Sequence, residues 1–392
     1  MTATDPSAAT DGSRLQDGRP FAIICGGGTA GHVVPAIAVG RALVERGHPA
    51  ESIHFMGARR GIEGRLVPAA GFGVTLLPGR GLERRLSRAN VGAVVGLGAA
   101  AVKGVTLVAR HRPAVIVSVG GYASAAGVLA SVLLRVPLVV IEQNAAPGAA
   151  NRVAARVARA AATAFPGTRL PRAVLTGNPV RDEVLAVDRS PSGQAAARRE
   201  LGLPADATVI VAFGGSLGAR TVNQAVLGLV RQWRERGDVA VYHVVGTRDW
   251  DAVTADCPEP ADGGLWYRQV RYEDRMEIVY AAADLAVCRA GASTVAELAV
   301  VGLPALLIPL PGAPNDHQTA NAQALVDAGA ARLVTDVEAS PERLAVELDR
   351  LMDPSKRAAM GRAALSVAHR DAASEVAELV ERMSAAGRRG RD

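Results

Sequence analysis

Aromatic residues make up only 3% of the 392 residues: five Phe, five Tyr and three Trp. That scarcity excludes a surface built from stacking platforms for bases, on which single-strand nucleic-acid binders depend. Cysteine is rarer still. Cys25, Cys257 and Cys288 are scattered and odd in number, which excludes a disulfide framework and fits a reducing compartment. No run of about 18 apolar residues is uninterrupted. The nearest, VGAVVGLGAAAVKGVTLVA from Val91, carries Lys103 and several glycines. It reads as a buried core helix rather than a membrane span, because Gly and Ala barely favour hydrocarbon. The opening MTATDPSAATDGSRLQDGRP has no apolar signal-peptide segment, so residues 1–19 read as a disordered leader.

What the chain has in abundance is glycine, 42 residues, within a hydrophobic fraction of 49%. The length implies two or three domains at about 150 residues each. A net charge of +6 suits an anionic partner, whether nucleic acid, a phosphate-bearing substrate or an acidic membrane surface. Short β-branched runs alternate with helical patterns. The first half offers strands at Phe21 to Cys25, Ser52 to Met56, Val74 to Leu77, Ala114 to Ser118 and Leu138 to Glu142. The second offers Thr208 to Phe213, Val239 to Val245, Asp284 to Cys288 and Ala305 to Pro309. Alternation of this kind predicts parallel βαβ units and a doubly wound α/β domain in each half. Gly177 and Pro179 in TGNPVR mark a hinge, placing one domain at 20–178 and another at 179–365. Beyond Pro354 a helical stretch from Ser355 to about Met383 is long enough to cross back, so residues 366–392 are expected to be a returning helix and a basic tail.

Two strand ends run into glycine clusters and then into helices: FAIICGGGTAGHVVPAIAV from Phe21 and VIVAFGGSLGARTVNQAV from Val209. Missing side chains let backbone amides approach a ligand, and a helix start adds unpaired N–H groups and a positive dipole end. Anions, above all phosphates, are the natural ligand. The first turn also spells the dinucleotide pattern at Gly26, Gly28 and Gly31. No acid follows the second strand, where Arg59 and Arg60 stand instead, which disfavours NAD and leaves only NADP. The second turn spells G-x-S-x-G around Ser216, with Asp284 and His317 in the order a hydrolase needs. The first turn has no serine at the matching place, which weakens that reading. A third unit, ADLAVCRAGASTVAEL, puts Glu297 one turn inside a helix start. There it is either a dipole-compensating carboxylate or the acceptor of both hydroxyls of a ribose. Asp249-Trp250-Asp251 spells a metal-binding DxD but reads as an ordinary helix start in TRDWDAV.

GGGTAGHVVPAIAVGRAL, GGYASAAGVLAS, EQNAAPGAANR, TGNPVR, FGGSLGAR, CRAGASTVAEL and DHQTANAQAL together resemble the bacterial lipid II synthase family. These enzymes are UDP-N-acetylglucosamine:undecaprenyl-diphospho-muramoylpentapeptide N-acetylglucosaminyltransferases. The similarity runs from Phe21 to the final helices, in the family's order and spacing. It implies two Rossmann-like doubly wound parallel-sheet domains of the glycosyltransferase-B type facing across a cleft. The C-terminal domain would hold the UDP-sugar and the N-terminal domain the lipid acceptor. It further implies inverting transfer with neither metal nor other cofactor. The implied partners are UDP-N-acetylglucosamine, a polyprenyl-diphosphate acceptor and an anionic membrane surface, without nucleic acid. The implied location is peripheral, on the cytoplasmic face of the plasma membrane. The rival on the same architecture is another UDP-sugar enzyme, either a transferase with a different lipid acceptor or a 2-epimerase.

Carried over by position, the resemblance assigns the donor diphosphate to Ser216 and its turn, and the uracil to Arg181 and the backbone near Glu273. Ala292, Ser293, Thr294, Val295, Ala296 and Glu297 line the donor site, with Glu297 on the ribose. Gln318 and Asn144 hold the sugar. Thr29, Ala30 and Gly31 lie beside His32 on the acceptor-side loop and also reach the donor. Gly27, Gly28, Gly120, Gly121 and Tyr122 complete the acceptor phosphate loop. His32 is the expected base, since an imidazole titrates near neutral pH. Two departures stand out: Ile141 precedes EQN where the family often has His, and His317 precedes Gln318 where a Gln pair is common.

The segment VTLLPGRGLERRLSRAN mixes Leu82 and Leu86 with Arg84, Arg85 and Arg88. Such a loop fits an anionic leaflet, each arginine near the surface contributing about 1 kcal/mol. Cosedimentation with anionic vesicles should therefore weaken with added salt and with Arg84→Glu plus Arg85→Glu. Binding that is absent, or indifferent to salt, would contradict this assignment.

Overall fold

The computed structural model describes residues 20–78, 88–215, 217–259 and 261–388. Among them thirteen strands form two wholly parallel sheets. The first contains β1 (Ala22–Cys25), β2 (Ile53–Ala58), β3 (Gly73–Leu77), β4 (Val115–Ser118), β5 (Leu138–Glu142), β6 (Ala160–Thr163) and β7 (Ala173–Leu175). The second contains β8 (Thr208–Phe213), β9 (Val239–Val244), β10 (Trp266–Val270), β11 (Leu285–Cys288), β12 (Ala305–Leu307) and β13 (Ala331–Leu333).

Helices α1 (Ala30–Glu45), α2 (Glu63–Ala69), α3 (Arg88–His111), α4 (Ser124–Leu134) and α5 (Ala149–Val157) cover the first sheet. The second half adds α6 (Asp182–Leu185), α7 (Pro191–Leu201), α8 (Arg220–Gln232), α9 (Trp250–Ala255) and α10 (Met276–Ala282). It continues with α11 (Ala292–Val301), α12 (His317–Asp327), α13 (Pro341–Asp349), α14 (Pro354–Ser366) and α15 (Ala372–Arg388).

The strand orders are β3-β2-β1-β4-β5-β6-β7 and β10-β9-β8-β11-β12-β13. Both are the doubly wound order, in which the winding reverses between the first and fourth strand of the unit. Ligands of such sheets sit at the carboxyl ends of the strands flanking that reversal. Here those ends carry Gly26 to Gly28 and Gly120–Gly121 in one half, and Gly214 to Gly218 and Gly291 in the other. β1, β4 and β5 are apolar except at the carboxyl ends of β4 and β5, Ser118 and Glu142, because helices cover both faces. Ile23, Ile24, Ile116 and Val139 are at most 1% exposed, each side chain stabilising the fold by about 1.5–3 kcal/mol.

Four strands escaped the sequence reading: β6, β7, β10 and β13. The short Ala160–Thr163 segment, AAAT, lacks β-branched residues except at its end, and only its pairing with β5 makes it a strand. The glycine-rich segment from Val91 lies in α3, but it is a half-covered helix rather than a core one. Ala100, Gly104 and Val108 face inward four residues apart, while Val102 is 68% exposed. Gly104 sits against Ala126 of α4 so closely that a Cβ there would lie 2.8 Å from the Ala126 methyl.

The helical stretch beyond Pro354 breaks at Val367. α14 packs on α11, whereas α15 packs on α1 and beneath β4 to β6, where Val376, Ala377, Leu379 and Val380 join the first core. Gly177 (φ +80°) passes the break so closely that an added Cβ would sit 2.1 Å from His369 Cβ. Gly177 thus serves close approach as well as turning.

Candidate active site

The first glycine turn follows β1, and its amides are already spent. Gly26 N–H donates to Met56 O (3.1 Å), Gly27 N–H to Gly120 O (3.1 Å) and Gly28 N–H to Glu63 Oε1 (2.7 Å). Glu63 is 2% exposed and also accepts from Ala58 N–H (3.1 Å). The turn is therefore closed from within, and a carboxylate underlies it. Of the residues expected around an acceptor phosphate, Gly27 and Gly28 therefore have their amides bonded within the protein, and Gly120 meets Gly27 through its carbonyl oxygen. Open amides begin one residue later: Thr29 is the N-cap of α1 but caps nothing, and the first turn, with Ala30 and Gly31, holds no acid.

The Thr29 hydroxyl lies instead 3.0 Å from His32 Nδ1. The other ring nitrogen, Nε2, lies over Gly120, where a Cβ would approach it to 3.2 Å. Glycine at 120 leaves that nitrogen uncovered. Burial holds the His32 pKa below the ordinary imidazole value; the fields of Glu142 and Glu63 oppose this, and His317 across the cleft adds to it. The imidazole is thus neutral near pH 7 and able to accept a proton.

Glu142, 1% exposed at the end of β5, is the second buried acid. It accepts from Asn144 N–H (3.0 Å), Asn144 Nδ2 (3.2 Å), Gly148 N–H (3.0 Å) and Asn151 Nδ2 (3.0 Å). These bonds fold the 143–148 loop, which then reaches the other domain. Asn321 of α12, wholly buried, accepts from Ala145 N–H (2.9 Å) and donates to Asn144 Oδ1 (3.1 Å) and Ala290 O (3.2 Å). Asn315 Nδ2 adds a bond to Pro147 O (3.1 Å). Asn144 is consequently engaged in the interdomain contact rather than aimed freely at a sugar. The quoted motifs contained Glu142 and Asn321, but only the fold reveals that one organises the loop and the other joins it to the second domain. Tyr122 likewise turns away, its hydroxyl reaching Pro78 O (2.7 Å) and Gly96 O (2.9 Å).

The second turn is built differently. α8 begins at Ala219 with no side-chain cap and no acid in its first turn. Arginines flank it: Arg220, 72% exposed, and Arg248, which donates to Gly218 O (3.3 Å). Both also pair with the buried Asp249, at 3.7 and 2.8 Å. Asp249 is thereby held as an ion-pair partner at the start of α9, and no group of three potential metal ligands occurs among the described residues. Ser216 itself lies outside the described residues, as do Leu82, Arg84, Arg85 and Leu86; Arg88 is the first residue of α3.

α11 repeats the open start. Gly291 caps nothing, no acid occupies the first turn, and Ser293 Oγ is buried without a partner. By contrast α7, α13 and α14, which follow no glycine turn, are capped by Ser190, Ser340 and Asp353. Leaving helix N–H groups open costs about 1 kcal/mol each relative to a good cap, a cost that a bound anion offsets. Val295 is 3% exposed in the domain core, so its side chain does not line the site.

Glu297 accepts from Tyr280 OH (2.8 Å) and lies 3.7 Å from Arg181 Nη2. Glu273 is tied to Tyr242 OH (2.8 Å) and Arg275 N–H (2.9 Å). Gln318 Oε1 accepts from Ala290 N–H (3.2 Å) and Leu310 N–H (3.0 Å), which turns its amide NH₂ outward as a donor. His317 Nδ1 donates to Pro314 O (2.9 Å). Asp284 pairs with Arg198 (2.6 Å) and Val209 N–H (2.7 Å) just before β11 begins, the opposite end of the sheet from the turn. The hydrolase order Ser216, Asp284, His317 therefore forms no triad.

Residues 22–163 match the model of the glycosyltransferase family 28 N-terminal domain, and residues 209–379 that of its C-terminal domain. A relative from Desulforudis audaxviator is 37% identical over 378 residues, covering 94% of this chain and 99% of its own. One from Nocardia farcinica is 41% identical over 369 residues, covering 92% and 95%. Both are named UDP-N-acetylglucosamine--N-acetylmuramyl-(pentapeptide) pyrophosphoryl-undecaprenol N-acetylglucosamine transferase. The crystal structure of MurG from Acinetobacter baumannii superposes with a TM-score of 0.73 at 27% identity, covering 93% of this chain and 99% of that one.

Burial raises the Glu297 pKa, with Arg181 and Tyr280 opposing. Ribose hydroxyls donate to the ionised form, so a nucleotide held there has its full affinity above that raised value and loses it as pH falls through it. Calorimetric titration of UDP should show affinity declining at a higher pH than an ordinary glutamate would give. Glu297→Gln should bind UDP about tenfold more weakly at pH 7.5 and lose that pH dependence. An unchanged dissociation constant in the variant would remove Glu297 from the site.

Proposed function

The chain belongs to glycosyltransferase family 28 and, within it, to the pyrophosphoryl-undecaprenol N-acetylglucosamine transferases, and from that premise we propose how its cleft performs the transfer. The reaction moves N-acetylglucosamine from UDP-N-acetylglucosamine to the 4-hydroxyl of a polyprenyl-diphosphate-linked muramoyl pentapeptide, completing the lipid-linked disaccharide of peptidoglycan. Relatives bearing the transferase name over almost the whole chain favour this over a 2-epimerase or another lipid acceptor.

The observation that carries the site assignment is the difference between the two glycine turns. The second domain offers uncapped helix starts and arginines, suited to a diphosphate. The first offers a neutral imidazole above buried carboxylates, suited to taking a proton. In this reading His32 Nδ1–H donates to Thr29 Oγ1, which leaves the lone pair on Nε2. That nitrogen takes the proton of the acceptor hydroxyl as its oxygen attacks the anomeric carbon in line, and the bond to the β-phosphate oxygen breaks with its electron pair. Inversion to a β linkage follows. The starts of α8 and α11, with Arg220, stabilise charge on the departing UDP without a metal. Glu297 and Arg181 hold the nucleoside, and the Gln318 amide and the open α1 start with Thr29, Ala30 and Gly31 face the sugar.

Membrane contact on the cytoplasmic face is assigned to the first domain. No helix among the described residues is long and apolar enough to cross a membrane. Leu129, Val132 and Leu133 on α4 and Val153 and Val157 on α5 are 40–60% exposed, and Arg152 and Arg156 are exposed beside the latter. α4 packs on α3, which follows the basic segment in sequence, and α5 packs on α4. An apolar face rimmed with arginine suits an anionic leaflet.

Transfer of radiolabelled N-acetylglucosamine onto a synthetic lipid I analogue, run in chelator, tests the reading. Activity should persist in chelator, and His32→Ala should lower turnover about 10²- to 10⁴-fold with UDP affinity unchanged. Turnover unaffected by the substitution would reject His32 as the base.

A further inference from the structure

Glu63 is the least expected feature of the cleft. It stands on α2, five residues beyond β2, and its side chain runs back under the first glycine turn. A Cβ at Gly27, Gly57 or Gly61 would lie within 3 Å of its carboxylate or stem, so three glycines make room for one acid. Oε1 accepts two backbone bonds, from Gly28 and Ala58. Oε2 is buried with no partner, and Glu63 borders a small cavity also lined by Gly26, Val33, Phe55 and Val119. A buried carboxylate with an idle oxygen is costly, and an amide or apolar side chain would spare that cost. A negative charge at this point therefore requires a use.

The use lies four residues along the turn. Glu63 fixes Gly28, Gly28 leads into Thr29, and Thr29 orients the His32 ring. We propose that Glu63 is a positioning residue for the transfer: its clamp on Gly28 sets the height of His32 over Gly120, and its buried charge stabilises the imidazolium formed when His32 takes the acceptor's proton. Glu63 touches neither substrate nor the ring. Proton transfer leaves a positive charge in a buried place, where burial disfavours it. The charged groups whose fields reach the ring are Glu142, Glu63 and, from α12 of the other domain, His317; the two carboxylates favour the imidazolium and His317 opposes it.

This inference rests on His32 as the base, and the test separates the two. Glu63→Gln keeps an oxygen for Gly28 and Ala58 and gives the idle position an NH₂, so it removes the charge while sparing the clamp. The full-length variant should keep its melting temperature and UDP affinity, lose about tenfold in kcat, and show the acid limb of kcat/KM shifted to lower pH. The His32 imidazole, followed by proton NMR without substrate, should shift its midpoint in the same direction. Glu63→Asp, which retains a charge, should keep the wild-type midpoint. A Glu63→Gln chain with the wild-type pH profile overturns the proposal, as does one that loses melting temperature and UDP affinity together, which would make Glu63 part of the scaffold only. Full activity in His32→Ala would instead defeat the underlying assignment of the base.

Discussion

An amide N–H already bonded inside the protein has nothing left to offer a phosphate. That constraint divides the two halves of this chain, although both are wound in the same strand order and both run from a strand through glycines into a helix. In the first half three successive amides are satisfied by Met56, Gly120 and Glu63, and the satisfying carboxylate adds a negative charge where an anion would need a positive one. In the second half the helix starts at α8 and α11 are uncapped and free of acids, as the start of α1 also is, but Arg220 and Arg248 stand beside α8. In the proposed function one device serves two electrostatic ends: a platform for a proton acceptor and a cradle for a diphosphate.

The division of labour needs the domains held in register, and Asn321 supplies part of that. It is wholly buried, bonded to Ala145 and Asn144 of one domain and to Ala290 of its own. Ala290 N–H also donates to Gln318 Oε1, so the interdomain contact and the outward-facing Gln318 amide share one backbone residue. Glu142, by folding the 143–148 loop, makes this contact geometrically available. α15 fastens the same two bodies from the far side, rising from the C-terminal domain to bury its apolar face in the first core.

Much of this was legible in the residues. Alternating β-branched runs and helical patterns specified parallel α/β halves, and glycine clusters at two strand ends marked the cleft. What was not legible depended on long-range contacts. AAAT carries no strand signal of its own and becomes β6 only beside β5. Glu63 in GARRGIEG looks like any acid near a helix start, where it would complement the dipole. Its burial follows from glycines at 27, 57 and 61, distant or unremarkable in sequence and adjacent only in space. Val295 sits in a motif expected to line the site, yet helical periodicity turns it into the core. The pattern of glycines reveals where a backbone can come close to something, and the fold decides whether that something is a ligand or the protein itself.

Hydrogen–deuterium exchange of the full-length protein with and without UDP tests the central claim most directly, because it reads the amides themselves. The account predicts slowed exchange at the starts of α8 and α11, over residues 214–222 and 291–295, with Gly26, Gly27 and Gly28 unchanged. Protection of the first turn by UDP, with the second turn unaffected, would contradict it.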